Sequence, residues 1–448
     1  MLIVFFLLLS VFMVTPAPAS EGAGDSLFEG FDDTAPLDSE DTPLPAKAFP
    51  VNLGGYVKLG AAYNFAHHAP EPGETDWRGL SRLRTELQIE ADWRLKGWRL
   101  FASGKGWYDL AYALNGRSGY TPEVLNDYEE EIELREAYLQ GTLGKALDLK
   151  IGRQIVVWGR SDNFRVTDIL NPLDRREPGL TDIEDLRLPL VMTRLDYFRG
   201  DWSLALTALH EHRFDKLPAF GHDFYASSTR MPPEKLPART LDNTGMAVEL
   251  KGIFPGWDIS FYGARIYNDQ PTFVPASPVT IEHRRIMMAG VAAEIARGNF
   301  LYILEAAHFR GLRFMNDYGT DYNRTDLLAG IEYSGFYSTT VSFEIVNRHL
   351  HGFDSILKGS PELPVEDDLQ AALRIDRKFM NDTLALKALF VSLGERAQRG
   401  AMQRLTATYA ISDGLSVSGG VVFYESGRGL MQNAGDNDRC FVEIRYDF

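Results

Sequence analysis

From Val51 onward the chain alternates. Val51, Leu53, Val57, Leu59 and Tyr63 share one parity, and Asn52, Tyr56, Lys58 and Asn64 share the other. In 82–95 the alternation is sharper: Leu83, Leu87, Ile89, Trp93 and Leu95 interleave with Arg82, Arg84, Glu86, Glu90, Asp92 and Arg94. Successive side chains of a strand point to opposite faces, so each such segment predicts a strand with one apolar and one charged face. The pattern recurs to the last residue and predicts about eighteen strands, among them 130–142, 147–158, 202–213, 257–268, 284–297, 299–309 and 325–334.

The connections alternate in length. Short turns at Lys96-Gly97, Gly144-Lys145, Gly200-Asp201, Pro255-Gly256 and Asp413-Gly414 are separated by longer links such as 112–129, 159–189, 214–242, 269–283 and 310–324. Trp93, Trp98, Trp202, Trp257 and Phe300 flank the short turns. Tyr63, Phe65, Tyr108, Phe309 and Phe423 lie toward the long links. An even number of antiparallel strands, short turns on one side, long loops on the other and two aromatic belts together predict an all-β fold: a transmembrane antiparallel barrel over 51–448, its short turns periplasmic and its long loops external. The end of the chain agrees. Val442, Ile444, Tyr446 and Phe448 form one apolar face ending on a terminal Phe, resembling the signal that outer-membrane barrels present to their assembly machinery. Closing that strand onto the first would remove an exposed edge.

Composition narrows the function classes. With 46 basic and 62 acidic residues the net charge is −16, so no nucleic-acid backbone is expected as a partner. The single cysteine, Cys440, excludes an intrachain disulfide and a Cys-rich metal site. Residues 1–19 read as a signal peptide: an apolar run from Leu2 to Val14, then Ala17-Pro18-Ala19 in the small-x-small pattern. Residues 20–50 are acidic and proline-containing, and read as a periplasmic tail too poor in apolar surface to order itself. The predicted location is the outer membrane of a Gram-negative bacterium, with its lipid as partner.

If the apolar parity faces lipid, the other parity lines a lumen. Lys58, Arg82, Arg84, Glu86, Glu90, Asp92 and Arg94 are the predicted lumen wall, since a charge facing the bilayer midplane costs roughly 2–4 kcal/mol. Barrels of about sixteen to eighteen strands leave an aqueous lumen. Arg153 falls on the apolar parity of its strand, and a local bulge would re-aim it. The charged link after Trp158 predicts a loop folded into the lumen as a constriction: Arg160, Asp162, Arg165, Asp168, Asp174, Arg175, Arg176 and Glu177. Opposed acidic and basic rows there would screen solutes by size and charge.

Gly152-Arg153-Gln154-Ile155-Val156-Val157-Trp158-Gly159, continuing through Asp162 to Asn171-Pro172-Leu173-Asp174, resembles the pattern of a proteobacterial outer-membrane family catalogued as domain of unknown function 1302. Leu134-Arg135-Glu136-Ala137-Tyr138-Leu139 is also similar. More distantly, the Gly-Arg-Gln strand resembles alginate-exporter-like barrels. The resemblance implies an outer-membrane porin-like protein. It also implies an RND-type exporter as a partner, and it supplies no catalytic residue.

No enzyme is expected. His210 and His212 share a predicted strand face, and His67-His68 and His349/His351 lie in predicted loops, but no third ligand at a telling spacing makes a metal site. His212, Asp215 and Ser227-Ser228 match no nucleophile motif. No cofactor is implied. The reading is a passive channel, or the outer exit of an export system, with a charged lumen. The alternative is a closed barrel working through its surface loops as receptor, adhesin or scaffold.

Overall fold

The computed structural model describes residues 51–448, apart from 182, 276 and 361–362. The signal peptide and acidic tail expected over 1–50 lie outside the described residues. Eighteen antiparallel strands close into one barrel. In chain order they are β1 (Val51–Asn64), β2 (Gly79–Leu95), β3 (Trp98–Asp109), β4 (Glu130–Thr142), β5 (Leu147–Gln154), β6 (Leu190–Arg199), β7 (Trp202–Leu209), β8 (Gly245–Phe254) and β9 (Trp257–Val274). There follow β10 (Thr280–Arg297), β11 (Phe300–Phe314), β12 (Asp317–Phe336), β13 (Thr339–His351), β14 (Asp367–Phe379), β15 (Leu384–Leu393), β16 (Ala401–Ser412), β17 (Leu415–Glu425) and β18 (Arg439–Asp447). Each pairs with its sequence neighbours. β1 also pairs with β18, from Tyr56 opposite Asp447 to Asn64 opposite Arg439, so no edge remains. A two-residue strand, Glu234–Lys235, lies parallel to the start of β10.

The register carries one parity round the whole wall. Outward positions are exposed and apolar, as at Leu59, Ile89, Ile151, Leu206, Leu304, Leu327 and Ile444. A soluble protein does not leave such a surface uncovered; a lipid-facing one requires it. Cys440 is outward and exposed on β18, opposite Tyr63 of β1. Where wall backbones approach closely, glycine is needed. A Cβ at Gly55, whose φ is +154°, would lie 2.1 Å from the Gln88 carbonyl oxygen, and one at Gly420 would lie 2.3 Å from that of Leu405.

Four expectations need correction. β5 ends at Gln154 and β7 at Leu209, short of 158 and 213, because the chain beyond each turns away into a loop. The expected links 269–283 and 310–324 are largely strand: β9 through β12 rise as tall hairpins held by inward Phe309, Leu312, Phe314 and Tyr322. Phe309 is therefore buried rather than part of an outer belt. β5 pairs on both sides without a bulge; Arg153 keeps its outward parity and is neutralised by Glu211, whose two oxygens lie 2.9 Å from its Nη1.

The outward band makes a prediction. Leu304→Arg, midway along the apolar face of β11, should destabilise the barrel by about 2–4 kcal/mol. Gln140→Arg, on the inward face of β4, should cost less than about 1 kcal/mol. Urea unfolding from lipid vesicles reads both; equal costs would mean the faces are assigned the wrong way round.

Candidate functional site

The inner wall is not uniform. On β1 to β4 the inward positions carry Lys58, Arg82, Glu86, Lys105 and Glu133. On β9 to β13 many are small or apolar, at Ala264, Met288, Gly290, Ala292, Ile303, Ala307, Leu328 and Val346, with the acids Asp258, Glu294, Glu305, Glu332 and Glu344 among them. The link 155–189 packs onto that apolar sector. Trp158, Phe164, Val166 and Leu170 are buried against it, with the Trp158 ring 4.7 Å from that of Tyr262. The fit is tight: a Cβ on Gly290 would come within 3.0 Å of the Thr167 methyl.

Two wall glutamates hold the loop there. Glu305 on β11 accepts from the backbone N–H of Arg160 (2.6 Å), Ser161 (2.9 Å) and Thr167 (3.1 Å), and from the Thr167 hydroxyl (2.8 Å). Glu344 on β13 accepts from the Ser161 hydroxyl (2.6 Å) and from the N–H groups of Asp162 (3.2 Å) and Asn163 (3.3 Å). A loop sent into a barrel leaves the hydrogen-bonding ladder, and its buried donors need acceptors; a carboxylate can serve several at once. The loop's neck is clipped by Asn171, which is fully buried. Its oxygen accepts from Val156 N–H (2.8 Å) and its amide donates to the Leu188 carbonyl (2.8 Å). Arg165 donates to the carbonyls of Asp168 and Asn171, and Arg187 pairs with Asp168 at 2.9 Å.

The far end of the loop reaches the opposite wall. Arg176 pairs with Asp174 (2.6 Å) and with Glu131 of β4 (2.7 Å). Glu177 binds Arg82 and, at 3.0 Å, Arg84 of β2. The Tyr424 hydroxyl donates to the Pro178 carbonyl. A second loop, 210–244, enters beside it: Asp223 pairs with Arg439 of β18 at 2.7 Å, and the His222 ring stacks 4.0 Å from that of Tyr128. Burial alone would raise the Glu177 and Asp223 carboxyls. Arg82, Arg84 and His222 outweigh it for Glu177, as His222 and Arg439 do for Asp223, and both are held far below the usual carboxylate range. Asp162, 3.1 Å from Arg374 of β14, is instead raised, because burial exceeds what that cation returns.

The residues expected from sequence are placed as follows. Lys58 and Lys105 flank Glu86 at 3.4 and 3.3 Å; Glu90 accepts from Gln88; Asp92 pairs with Arg99, and Arg94 is largely exposed near Asp92. Arg82 and Arg84 serve the loop rather than open water. In the loop, Arg160 pairs with Asp258 (2.8 Å), Asp162 with Arg374 and Arg175 with Asp215 (3.0 Å). Arg165, Asp168, Asp174, Arg176 and Glu177 make the clips already described. Each of these eight charged residues meets a neighbour of opposite charge, which is an anchoring arrangement. Glu305, Glu344, Asp223 and Arg439 were not singled out from sequence, and Asn171 only as part of the Asn-Pro-Leu-Asp motif. A lone Glu on an otherwise apolar inward face was the available signal for Glu305; Glu344, with Ser342 and Arg348 on the same face, had none so distinct.

Loop 155–189 is seated on β9–β13, and the outer ends of β17 and β18 are covered as well, where Leu180 and Phe224 pack on Val422, Tyr424 and Phe441. Inward positions of β14–β18 and β1 include the small residues Thr408, Ser416, Ser418, Gly420 and Gly60 beside Arg374, Lys387, Arg404, Arg445 and Lys58, of which Arg374 meets Asp376 (2.6 Å), Lys58 meets Glu443 (3.7 Å) and Arg445 meets Asp447 (2.7 Å). The Arg445 guanidinium lies 4.0 Å over the Tyr56 ring. The histidines expected to share a strand at 210 and 212 are in the loop after β7, while His349 and His351 are in β13. Among the described residues no cluster of three His, Cys, Asp or Glu is spaced for a metal.

The family described as Protein of unknown function (DUF1302) matches residues 73–448. Among solved structures, a BenF-like porin from Pseudomonas fluorescens Pf-5 superposes with a TM-score of 0.53 at 10% identity, over 89% of this chain and 98% of that one. Pseudomonas aeruginosa OccK11 (OpdR) gives 0.52 at 13% identity, over 89% and 96%. Pseudomonas aeruginosa OccK2 (OpdF), in complex with glucuronate, gives 0.51 at 11%, over 89% and 98%. At these identities the likeness is one of fold. No curated protein matches the sequence.

The anchors can be broken separately. Glu305→Gln combined with Glu344→Gln should speed amide exchange over 160–167 by about a hundredfold, the equivalent of ~3 kcal/mol for lost charge-assisted bonds; unchanged protection would sink the seat. For Glu177 the folded carboxyl is depressed, so its contribution is complete above the unfolded value of about 4.3 and is lost as pH falls below that and through the folded value. Exchange over 176–180 should therefore rise only under acid in the native protein, and be fast at neutral pH in Glu177→Gln.

Proposed function

This chain belongs to the family described as Protein of unknown function (DUF1302), and from that membership, the closed barrel and the seated loop we propose that it is a porin-like channel of the Gram-negative outer membrane, passing small anionic solutes. The observation that carries the reading is the asymmetry of the lumen. One sector is spent on seating a loop, and the wall of β14–β18 and β1 sets small residues beside Lys387 and Arg404 and beside the pairs Arg374–Asp376, Lys58–Glu443 and Arg445–Asp447. Small side chains leave room, while Lys387 and Arg404 raise the local concentration of anions as charged clefts do. OccK2, a barrel of the same fold, holds glucuronate, a sugar acid; the cationic strip would suit a carboxylate of that kind. The acids Asp258 and Glu294 point inward on the far sector beside Arg160, so a solute would cross with its negative end toward β14–β18.

A specific observation favours a second reading. The two loops fill the lumen's outer half, where Asn64, Asp109, Asp223 and Arg439 are all buried. A barrel that stays shut there would act through its external loops as receptor, adhesin or scaffold.

Purified protein in planar bilayers separates the two. The channel reading expects discrete conductance steps with anion preference, and Lys387→Glu with Arg404→Glu should move the reversal potential toward cation preference by several-fold in permeability ratio, on the order of what two reversed lumen charges produce. Insertion without steps would support the shut barrel; steps with unmoved selectivity would remove the cationic strip as the path.

A further inference from the structure

Three histidines with no part in the lumen share the outer surface of β11–β13. The register sets them in two rows. His308, Thr325, His349 and Asp367 lie side by side across four strands, and Arg310, Asn323 and His351 form the next row outward. Thr325 Oγ1 joins two of the rings: it is 3.0 Å from His308 Nδ1 and 2.8 Å from His351 Nε2. The ring centres of His349 and His351 are 4.7 Å apart, and those of His308 and His351 5.8 Å. Asp367 is the carboxylate that meets the cluster, 2.9 Å from His349 Nδ1 and 3.0 Å from the Asn347 amide. Above it, Arg313 and Asp321 pair with each other at 2.6 Å. Arg310 and His351 are exposed, and the His349 side chain is 38% exposed.

The height of these rows is informative. On the same outward faces, running away from the short turns, Tyr302 and Leu304 precede His308 on β11. Leu327 and Ile331 lie below Thr325 on β12, and Phe343 lies below His349 on β13. The apolar band therefore gives way to imidazole, hydroxyl and amide at one level on three adjacent strands. That level is where hydrocarbon ends and headgroups begin.

We propose that this patch binds the phosphorylated headgroup of an outer-leaflet glycolipid, and does so more tightly in acid. The proposal rests on the membrane reading given above, because the occupant is inferred from the lipid band with which the patch is continuous. The chemistry is that of anion recognition. Each imidazole that takes a proton gains a charge and a second N–H donor. The Thr325 hydroxyl can then accept from both rings, which turns their remaining N–H groups outward beside the permanent charge of Arg310. Asp367 offsets one of the charges formed, so protonation of all three rings leaves the patch cationic.

The test uses the full-length protein in detergent, titrated calorimetrically with a bis-phosphorylated glycolipid, its dephosphorylated counterpart and inorganic phosphate. At pH 5.5 the phosphorylated lipid should bind about tenfold more tightly than at pH 7.5, and His308→Asn, His349→Asn and His351→Asn together should abolish that gain. Equal binding of the two lipids, or an unchanged pH response in the triple variant, would overturn the proposal. Inorganic phosphate competing at equal affinity would overturn the lipid as its source. Should the triple variant misfold, Arg310→Gln with His351→Asn provides the same readout. Flotation with vesicles reports insertion separately: failure to float counts against the membrane reading, whereas normal flotation without phosphate-dependent binding counts against this patch alone.

Discussion

The backbone cannot go unpaired in hydrocarbon, and this constraint shapes the rest of the molecule. Each N–H or C=O left without a partner in lipid costs several kcal/mol, so a chain of alternating strands is tolerated there only when its last strand finds its first. The nine residue pairs joining β1 to β18 close the ladder. Once it is closed, side-chain parity has physical meaning: one face is committed to lipid, and every polar group on the other must be satisfied by water, by the opposite wall or by chain that enters the lumen.

The entering chain meets the same requirement at shorter range. Residues 155–189 leave the ladder where β5 stops, and their freed donors are taken up by Glu305 and Glu344. These wall carboxylates would themselves be costly to bury unpaired. Loop and wall thus each supply what the other lacks. At the far end of the crossing Glu177 is held by Arg82 and Arg84, and on the neighbouring loop Asp223 is held by Arg439, in a poorly hydrated space where charge-assisted bonds are strong. The Asn171 clip accounts physically for the Asn-Pro-Leu-Asp stretch: it draws the two ends of a long excursion together at the point where the wall resumes.

Most of the barrel was legible in the sequence, since a period of two needs only local information. Strand parity at Leu87 or Ile444 reads the same in isolation as in the closed wall. The failures were places where tertiary packing decides. Val156 and Val157 continue the apolar pattern of β5, yet the strand stops before them because Asn171 captures the Val156 N–H. The links before β10 and β12 look polar enough for loops but form tall hairpins, because Phe309, Phe314 and Tyr322 pack against one another inside. The loop's charged residues were visible, and their partners were not. Pairing Arg160 with Asp258, or Asp162 with Arg374, depends on how the loop is folded across a lumen whose diameter no local pattern records. Glu305 stood alone as an acid among the apolar inward residues of its strand, a signal that went unread beside the dense charge of the loop itself.

The solitary thiol of this polypeptide stands at the joint between its two ends. Cys440 projects outward from the final strand, next to Tyr63 of the opening one, so its surroundings depend on whether the cylinder has been zipped. In an unzipped chain the sulfur would be wetted and open to a water-soluble alkylating agent, whereas the finished cylinder turns it toward the oily solvent. Nature has in effect left one chemically addressable atom at the seam, and a solvatochromic tag there would report the moment of closure without touching the interior.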